Sequence, residues 1–297
     1  MSALIEELNR TTGLSIDRIV ELVLFSDREY NQYFIKQKDK YRQIEEPSPH
    51  LRALQIALLP HFTKYPLHEA AIFGAGTSIS TNANVHLGQK HILKVDIKNC
   101  YQSITLEKVT SALCDEPTFE YLVQVLPACF IRLRNGTWCL PTGAPTSPML
   151  CNIALTLLDY KIATLCIAHG YKYTRYFDDI TVSTNGDIRR WNMLSDIQYL
   201  LGQDGYQINK KKSKWAKRFT DKMVVTGVNV LRKERSIPRE MKRKVRLLIS
   251  DLALGNQDLT DEAKGYLAHI SDIDPNYYQY LLECYERKKV SNATNSK

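Results

Sequence analysis

This chain has no pair of cysteines that reads as a staple. Its seven cysteines, at positions 100, 114, 129, 139, 151, 166 and 284, form no C-x-x-C pair and keep no zinc-like spacing to histidine. That argues against a disulfide framework or a structural zinc domain, and leaves reduced, mostly buried thiols of a cytoplasmic protein. No apolar run approaches the roughly 18 residues that span a bilayer, so no membrane is expected among its partners. The opening Met1-Ser-Ala-Leu-Ile-Glu-Glu lacks the basic start and apolar core of a signal peptide. There is no internal repeat, and only the last seven residues or so read as a disordered tail.

What is present is ordinary in bulk and uneven in placement. Hydrophobic residues make up 44% and charged residues 24% of the 297 positions, as in a soluble globular protein. That length holds one large domain or two to three subdomains. Residues 205–246 carry 15 Lys/Arg against the acids Asp221, Glu234 and Glu240, a balance of +12. The whole chain sums to +8, so everything else amounts to −4. A short charge run is usually a solvated helix face. A concentration of this size favours contact with a phosphate backbone.

Apolar spacing gives a coarse map. Ile16, Ile19, Val20, Val23 and Leu24 recur with helical period behind Ser15 as N-cap. A charged connector, Gln37 to Tyr41, precedes a second helix marked by Leu51, Leu54, Leu58 and Leu59 and stopped by Pro60. Residues 74–88, rich in Gly, Ser, Thr and Asn, read as a loop, and His91 to Ile97 as a strand that ends at the acid Asp96. Residues 106–130 read as helical, 140–148 as a turn-rich loop, and Met149 to Gly170 as a helix. Near the end, Met241, Val245, Leu248, Ile249 and Leu252 share one helical face, with Lys242, Arg243 and Arg246 off it. The class is α+β: a small antiparallel sheet, many helices and a helical C-terminus.

The chemistry points to Tyr176-Phe177-Asp178-Asp179. It lies between Lys172-Tyr-Thr-Arg175 and Ile180-Thr-Val-Ser183, both rich in strand formers. Two carboxylates at a hairpin tip repel unless positive charge sits with them, and magnesium takes carboxylate oxygens together with substrate phosphates. Asp96 stands 82 residues before Asp178 on its own strand. A sheet that pairs the two strands gathers three carboxylates, the donor set of a two-metal site for in-line phosphoryl displacement. The plain alternative is a strand-end acid and a surface turn.

These residues and their neighbours resemble the reverse transcriptases. In that family an acid followed five positions later by an aromatic, here Asp96 and Tyr101, precedes a Y-x-D-D box, here Tyr176 to Asp179. Between them lies Leu140-Pro-Thr-Gly-Ala-Pro-Thr-Ser-Pro-Met-Leu-Cys-Asn152, similar to the family's L-P-Q-G-x-P-T-S-P-x-L-x-N, with Thr142 where Gln is common. The resemblance spans roughly residues 40–230. It narrows to the retron reverse transcriptases of bacteria through Asn82-Ala-Asn-Val-His86 and Val225-Thr-Gly227. Arg42-Gln-Ile-Glu-Glu-Pro47 and Gly265-Tyr-Leu-Ala-His-Ile270 agree as well. Group II intron or abortive-infection enzymes, and a non-catalytic RNA-binding scaffold, are the alternatives.

The resemblance implies a right-hand polymerase fold: fingers in 1–90 and 105–139, palm in 91–104 and 140–230, and a thumb in 231–297. It implies two Mg2+ ions on Asp96, Asp178, Asp179 and the Ile97 carbonyl. Tyr101 is then a steric gate against the 2′-OH of dNTPs' ribose counterparts; otherwise it is a core aromatic. Arg42 clamps the triphosphate, Gly143 and Asn152 shape the nucleotide pocket, and Lys212, with Lys210 and Lys211 as competitors, protonates pyrophosphate. Asn82 and His86 mark an RNA contact or a buried structural pair, and Lys242, Arg243 and Arg246 contact the RNA–DNA hybrid. The implied partners are a cognate noncoding RNA primed at an internal 2′-OH, its branched single-stranded DNA product, a separately encoded antiphage effector and host RNase H.

Overall fold

In the computed structural model, residues 2–37, 40–74, 76–188, 192–254 and 261–295 are described. The chain opens with α1 (Ser2–Thr12) and α2 (Ile16–Leu24). Ser15 caps α2 as its position predicts, its hydroxyl accepting from the Arg18 amide. The buried face of α2 is Ile19, Leu22 and Val23, whereas Ile16, Val20 and Leu24 are exposed, so the apolar stripe is rotated from the one expected. Gln37, Lys40 and Tyr41 of the expected connector belong to an antiparallel ribbon, β1 (Tyr30–Gln37) and β2 (Lys40–Pro47), and its residues 38 and 39 are outside those described. Helix α3 (Pro49–Phe62), capped by Ser48, runs two residues past Pro60.

The expected loop at 74–88 holds a helix, α4 (Ile79–Val85), started by a capping box between Ser78 and Thr81. Strand β3 (His91–Asp96) follows, then α5 (Cys100–Ser103) and α6 (Leu106–Cys114). The helix expected over 106–130 stops at Cys114; Pro117 and Pro127 divide the remainder into 3-10 turns at Pro117–Gln124 and Leu126–Cys129. A two-stranded ribbon, β4 (Ile131–Arg132) and β5 (Trp138–Cys139), leads to the long helix α7 (Ser147–Ala168). Next come β6 (Lys172–Tyr176), β7 (Asp179–Thr184), α8 (Met193–Gln203) and β8 (Lys214–Lys217). Short strands β9 (Val224–Val225), β10 (Val228–Val230) and β11 (Arg235–Ser236) form a second small sheet. Helices α9 (Arg239–Ala253), α10 (Asp261–Ile273) and α11 (Pro275–Asn295) close the chain. The expected tail is therefore helical as far as Asn295.

The main sheet is antiparallel with order β6-β7-β3-β8. Its two faces differ because strand side chains alternate. Leu93, Val95, Ile180 and Val182 join the main core with Ile153, Leu155 and Ile162 of α7. Ile92 points the other way, into a second core built from Ala83, Val225, Val228, Ile249, Ile270 and Leu281. The C-terminal elements from Met223 onward share that second core. Asp96 and Asp179 stand at one end of the sheet, where β3 ends and β7 begins.

The sequence expectation of no span-length apolar run needs correction. By length and composition α7 could cross a membrane, but 61% of its most apolar window is buried inside this fold. It is apolar all round because it packs on β6, α6, α8 and α3.

Candidate active site

Register brings the distant acids together. Asp96, the last residue of β3, is directly opposite Asp179, the first of β7, which sets their Cα atoms about 4.5–5.5 Å apart. The Ile97 amide donates to the Asp178 carbonyl at 3.2 Å, so Asp178 stands beside them on the turn. That turn needs an unusual backbone: Phe177 has φ +54, the left-handed region that costs a side-chain-bearing residue strain. The turn is held from beneath. Arg175 Nη1 donates to the Phe177 carbonyl at 2.9 Å and to Asn152 Oδ1 at 2.7 Å. Its Nε and Nη2 form a fork on Asp159 at 2.8 and 2.5 Å, with both side chains wholly buried.

Asp96 and Asp178 open onto a cleft of about 610 Å³, lined also by Arg42, Tyr101, Thr142 and Lys212, with Asp179 paired to Asp96 at its edge. Burial, then the neighbouring Asp179, raises the pKa of the Asp178 carboxyl, and burial raises that of Asp179. Both shifts disfavour the charged carboxylates, through burial first and for Asp178 also through the like charge beside it. Lys212 brings positive charge to the site, donating to Asp96 Oδ1 at 2.6 Å, and this hydrogen bond raises the pKa of its ammonium. All three adjacent lysines are exposed, and Lys212 is the one whose bond to Asp96 ties it to the site. Among the described residues no group of three or more His, Cys, Asp or Glu side chains is spaced to grip a metal as it stands. One of the acids, Asp96, is engaged by the Lys212 ammonium. The chemistry of the donor set, hard carboxylate oxygens converging beside a cleft, fits a divalent cation such as Mg2+.

The remaining expected site residues divide. Arg42 on β2 and Tyr101 on α5 face the cleft, and Ile97 lies at its floor. Gly143 stands behind its wall: a Cβ there would lie 2.9 Å from the Glu45 carbonyl and 3.0 Å from Ile44 Cγ2. Two bonds of 2.7 Å between Thr142 and Glu45 fasten this loop to β2. Asn152 does not reach the cleft; it is enclosed, donating to the Pro148 carbonyl at 2.9 Å and accepting from Arg175. Asn82 and His86 are also enclosed, bonded to Thr174, Ser183 and Thr226, so neither presents itself to RNA. On α9, Lys242 is engaged with Asp274 at 2.8 Å and lies over the Tyr277 ring, leaving Arg243 and Arg246 as the exposed cations of the three.

Arg175 and Asp159 were not singled out from the sequence. A signal was there: an acid in an otherwise apolar helix, and an arginine inside a strand that runs through the core. Charges in such places are almost always paired.

A helix-backed antiparallel sheet with acids converging from two strands, a basic cleft rim and a helical C-terminal unit defines the palm of a template-dependent polymerase. The comparisons agree. The family Reverse transcriptase (RNA-dependent DNA polymerase) matches residues 34–248. The Retron Ec73 reverse transcriptase of Escherichia coli is 34% identical over 283 residues, covering 88% of each chain. The Retron Ec86 reverse transcriptase of Escherichia coli is 27% identical, over 94% of this chain and 87% of that one. In fold, a telomerase from Candida albicans aligns with TM-score 0.55 and 12% identity over 89% of this chain and 54% of its own. The chain belongs to the reverse transcriptases, as a member of the retron group, and is an RNA-directed DNA polymerase.

Proposed function

We propose that the enzyme copies a cognate noncoding RNA into DNA, starting from an internal 2′-OH of that RNA and leaving a branched, RNA-linked single-stranded DNA. The observation that carries the chemistry is the register that sets Asp96 opposite Asp179 with Asp178 beside them, Asp96 and Asp178 sharing one cleft with Arg42 and Tyr101. The retron-specific steps rest on kinship with the retron enzymes.

In each addition the hydroxyl gives up its proton to solvent water and its oxygen bonds to the α-phosphorus of a dNTP, while the bond from that phosphorus to the pyrophosphate breaks. Asp96, Asp178, Asp179 and the Ile97 carbonyl would hold two Mg2+ ions. Bound there, the ions offset the charge of the reacting phosphates and make the attacking hydroxyl more acidic. Arg42 meets the triphosphate with a guanidinium matched to phosphate geometry. Tyr101, half-buried and lining the cleft, serves as the steric gate whose ring excludes a ribose 2′-OH. Lys212, largely exposed and tied to Asp96, gives the departing pyrophosphate its proton. Asn152 serves this site indirectly, through Arg175 and the turn. The RNA–DNA hybrid lies against Arg243 and Arg246 of α9. The setting is cytoplasmic, in antiphage defence with a separately encoded effector, with host RNase H trimming the RNA.

The test expresses the gene with its flanking DNA and resolves total nucleic acid on a denaturing gel. A short DNA whose mobility shifts on RNase or debranching treatment is expected. Asp178→Asn should abolish it and cut nucleotide incorporation on a primed RNA by on the order of 10²–10³-fold or more. Identical patterns from wild type and variant would sink the assignment of the carboxylates.

A further inference from the structure

Asn82–His86 and Val225–Gly227 have no part in the cleft, yet the fold brings them into contact. Asn82 donates from Nδ2 to Thr226 Oγ1 at 3.4 Å and accepts at Oδ1 from the Thr174 hydroxyl of β6. His86 bonds Thr174 through Nε2 and Ser183 of β7 through Nδ1, each at 2.7 Å. The proton count fixes these directions. Thr174 has one hydroxyl hydrogen and gives it to Asn82, so it accepts from His86 Nε2–H, and Ser183 donates to Nδ1. One neutral imidazole satisfies the whole chain of bonds.

The other side of α4 belongs to the C-terminal unit. Ser78 and Ser80 donate to Asp272 of α10 at 3.1 and 2.7 Å. Ala83 lies in the second core with Val225, Val228 and Ile270, and Ile79 and Leu87 pack against it. The turn that meets Asn82 is strained: between the paired Val225 and Val228, Thr226 has φ +43 and Gly227 φ +85. A β-branched residue holds the left-handed region only where its surroundings impose it.

We propose that α4 is the joint that fixes the C-terminal unit against the palm sheet, with Asn82, His86 and Thr226 as positioning residues. They touch neither substrate nor the acids. They set where the exposed cations of α9 stand relative to Asp96 and Asp179. The proposal rests on the reading that the hybrid lies against α9. A loosened joint lets the hybrid leave between additions, so products shorten while each addition proceeds at its normal rate.

Thr226→Gly and Thr226→Val remove the hydroxyl that Asn82 meets, and glycine also suits the positive φ, so folding is not lost through the backbone. Three measurements are made: hydrogen exchange of residues 79–85 and 224–230 in the protein without nucleic acid, product length in a single binding event on a long primed RNA, and single-nucleotide addition at saturating primed RNA. The expected result is faster exchange and products roughly fivefold shorter, the change in dissociation that one lost neutral hydrogen bond supplies. Single additions should stay within about twofold, and Thr226→Ser should restore product length. Unaltered exchange overturns the joint itself, whether or not α9 carries the hybrid. Faster exchange with full-length products overturns its role in synthesis. An equal fall in single additions overturns it too, because the residues would then act on the cleft.

Discussion

Arg175 is a cation with no exposed surface, and among the described residues it is the largest of the fully buried side chains. Its charge is kept by the Asp159 fork, which raises its pKa against the opposing effect of burial. Removing one partner of such a pair strands a buried charge, so Arg175→Met should cost about 3–5 kcal/mol in urea unfolding. The double variant Arg175→Met, Asp159→Leu should recover most of that stability. It should not recover nucleotide incorporation, because the Phe177 carbonyl and Asn152 still lack their donor. A double variant as active as wild type would remove Arg175 from the support of the catalytic turn.

His86 makes a second residue-scale prediction. Burial lowers its pKa from 6.5 to about 3. Between those values the unfolded chain binds a proton that the folded one refuses. Stability should therefore fall as pH drops from about 6.5 towards 3, and hold above 6.5. Denaturant midpoints against pH should show a flatter acid limb for His86→Gln than for wild type. Parallel limbs would mean the imidazole is not kept neutral. At this scale the acids were legible in the sequence because Asp96, Asp178 and Asp179 fall in a fixed order with Tyr101 and Tyr176. The partners of Arg175, Asn152 and His86 were not, since a hydrogen bond across 97 residues, as from Ser183 to His86, leaves no local pattern.

Among elements, β2 and the loop before α7 depend on one glycine. Gly143 has φ +130, and a Cβ would meet the Glu45 carbonyl at 2.9 Å. Gly143→Ala should strain the backbone by about 1–3 kcal/mol and push β2, with Arg42, away from the cleft. A raised dNTP KM with a smaller change in kcat is the expected signature in steady-state kinetics. A lower Tm with unaltered KM would make the glycine a matter of folding alone. Elements with sustained period were readable: α7, α9 and the β6–β7 hairpin fall where the pattern puts them. Others were not. Helix α4 has seven residues and owes its existence to caps and to contacts on both sides. The β1–β2 ribbon has six consecutive exposed residues, 31–36, and so shows no inside–outside alternation. Proline broke the 106–130 helix into turns, where apolar spacing alone suggested continuity.

For the molecule as a whole, the basic segment divides between structure and surface. Lys242 holds Asp274, and Lys244 holds Glu262 and Tyr266, which leaves Arg243 and Arg246 outward on the same helix. Reversing both to Glu should weaken binding of an RNA–DNA hybrid and reduce the salt slope by roughly 1.5–2, about 0.9 per lost phosphate contact. An unaltered slope would return that face to ordinary solvation. Reversing Lys242 should act mainly on stability, since its partner is inside the fold.

By itself the sequence determined the class of chemistry and the kinship, because polymerase catalysis demands a few residue types in strict order and spacing. It also determined the α+β class, since period and turn residues are local properties. Only the tertiary structure decided which polar residues face substrate and which are enclosed. It moved Asn152 from the expected nucleotide pocket and Lys242 from the expected hybrid contact into the framework, decided for Asn82 and His86 in favour of the buried structural pair, and joined the two retron signatures through α4. Burial and pairing arise where distant segments meet, and no single stretch of chain encodes that meeting.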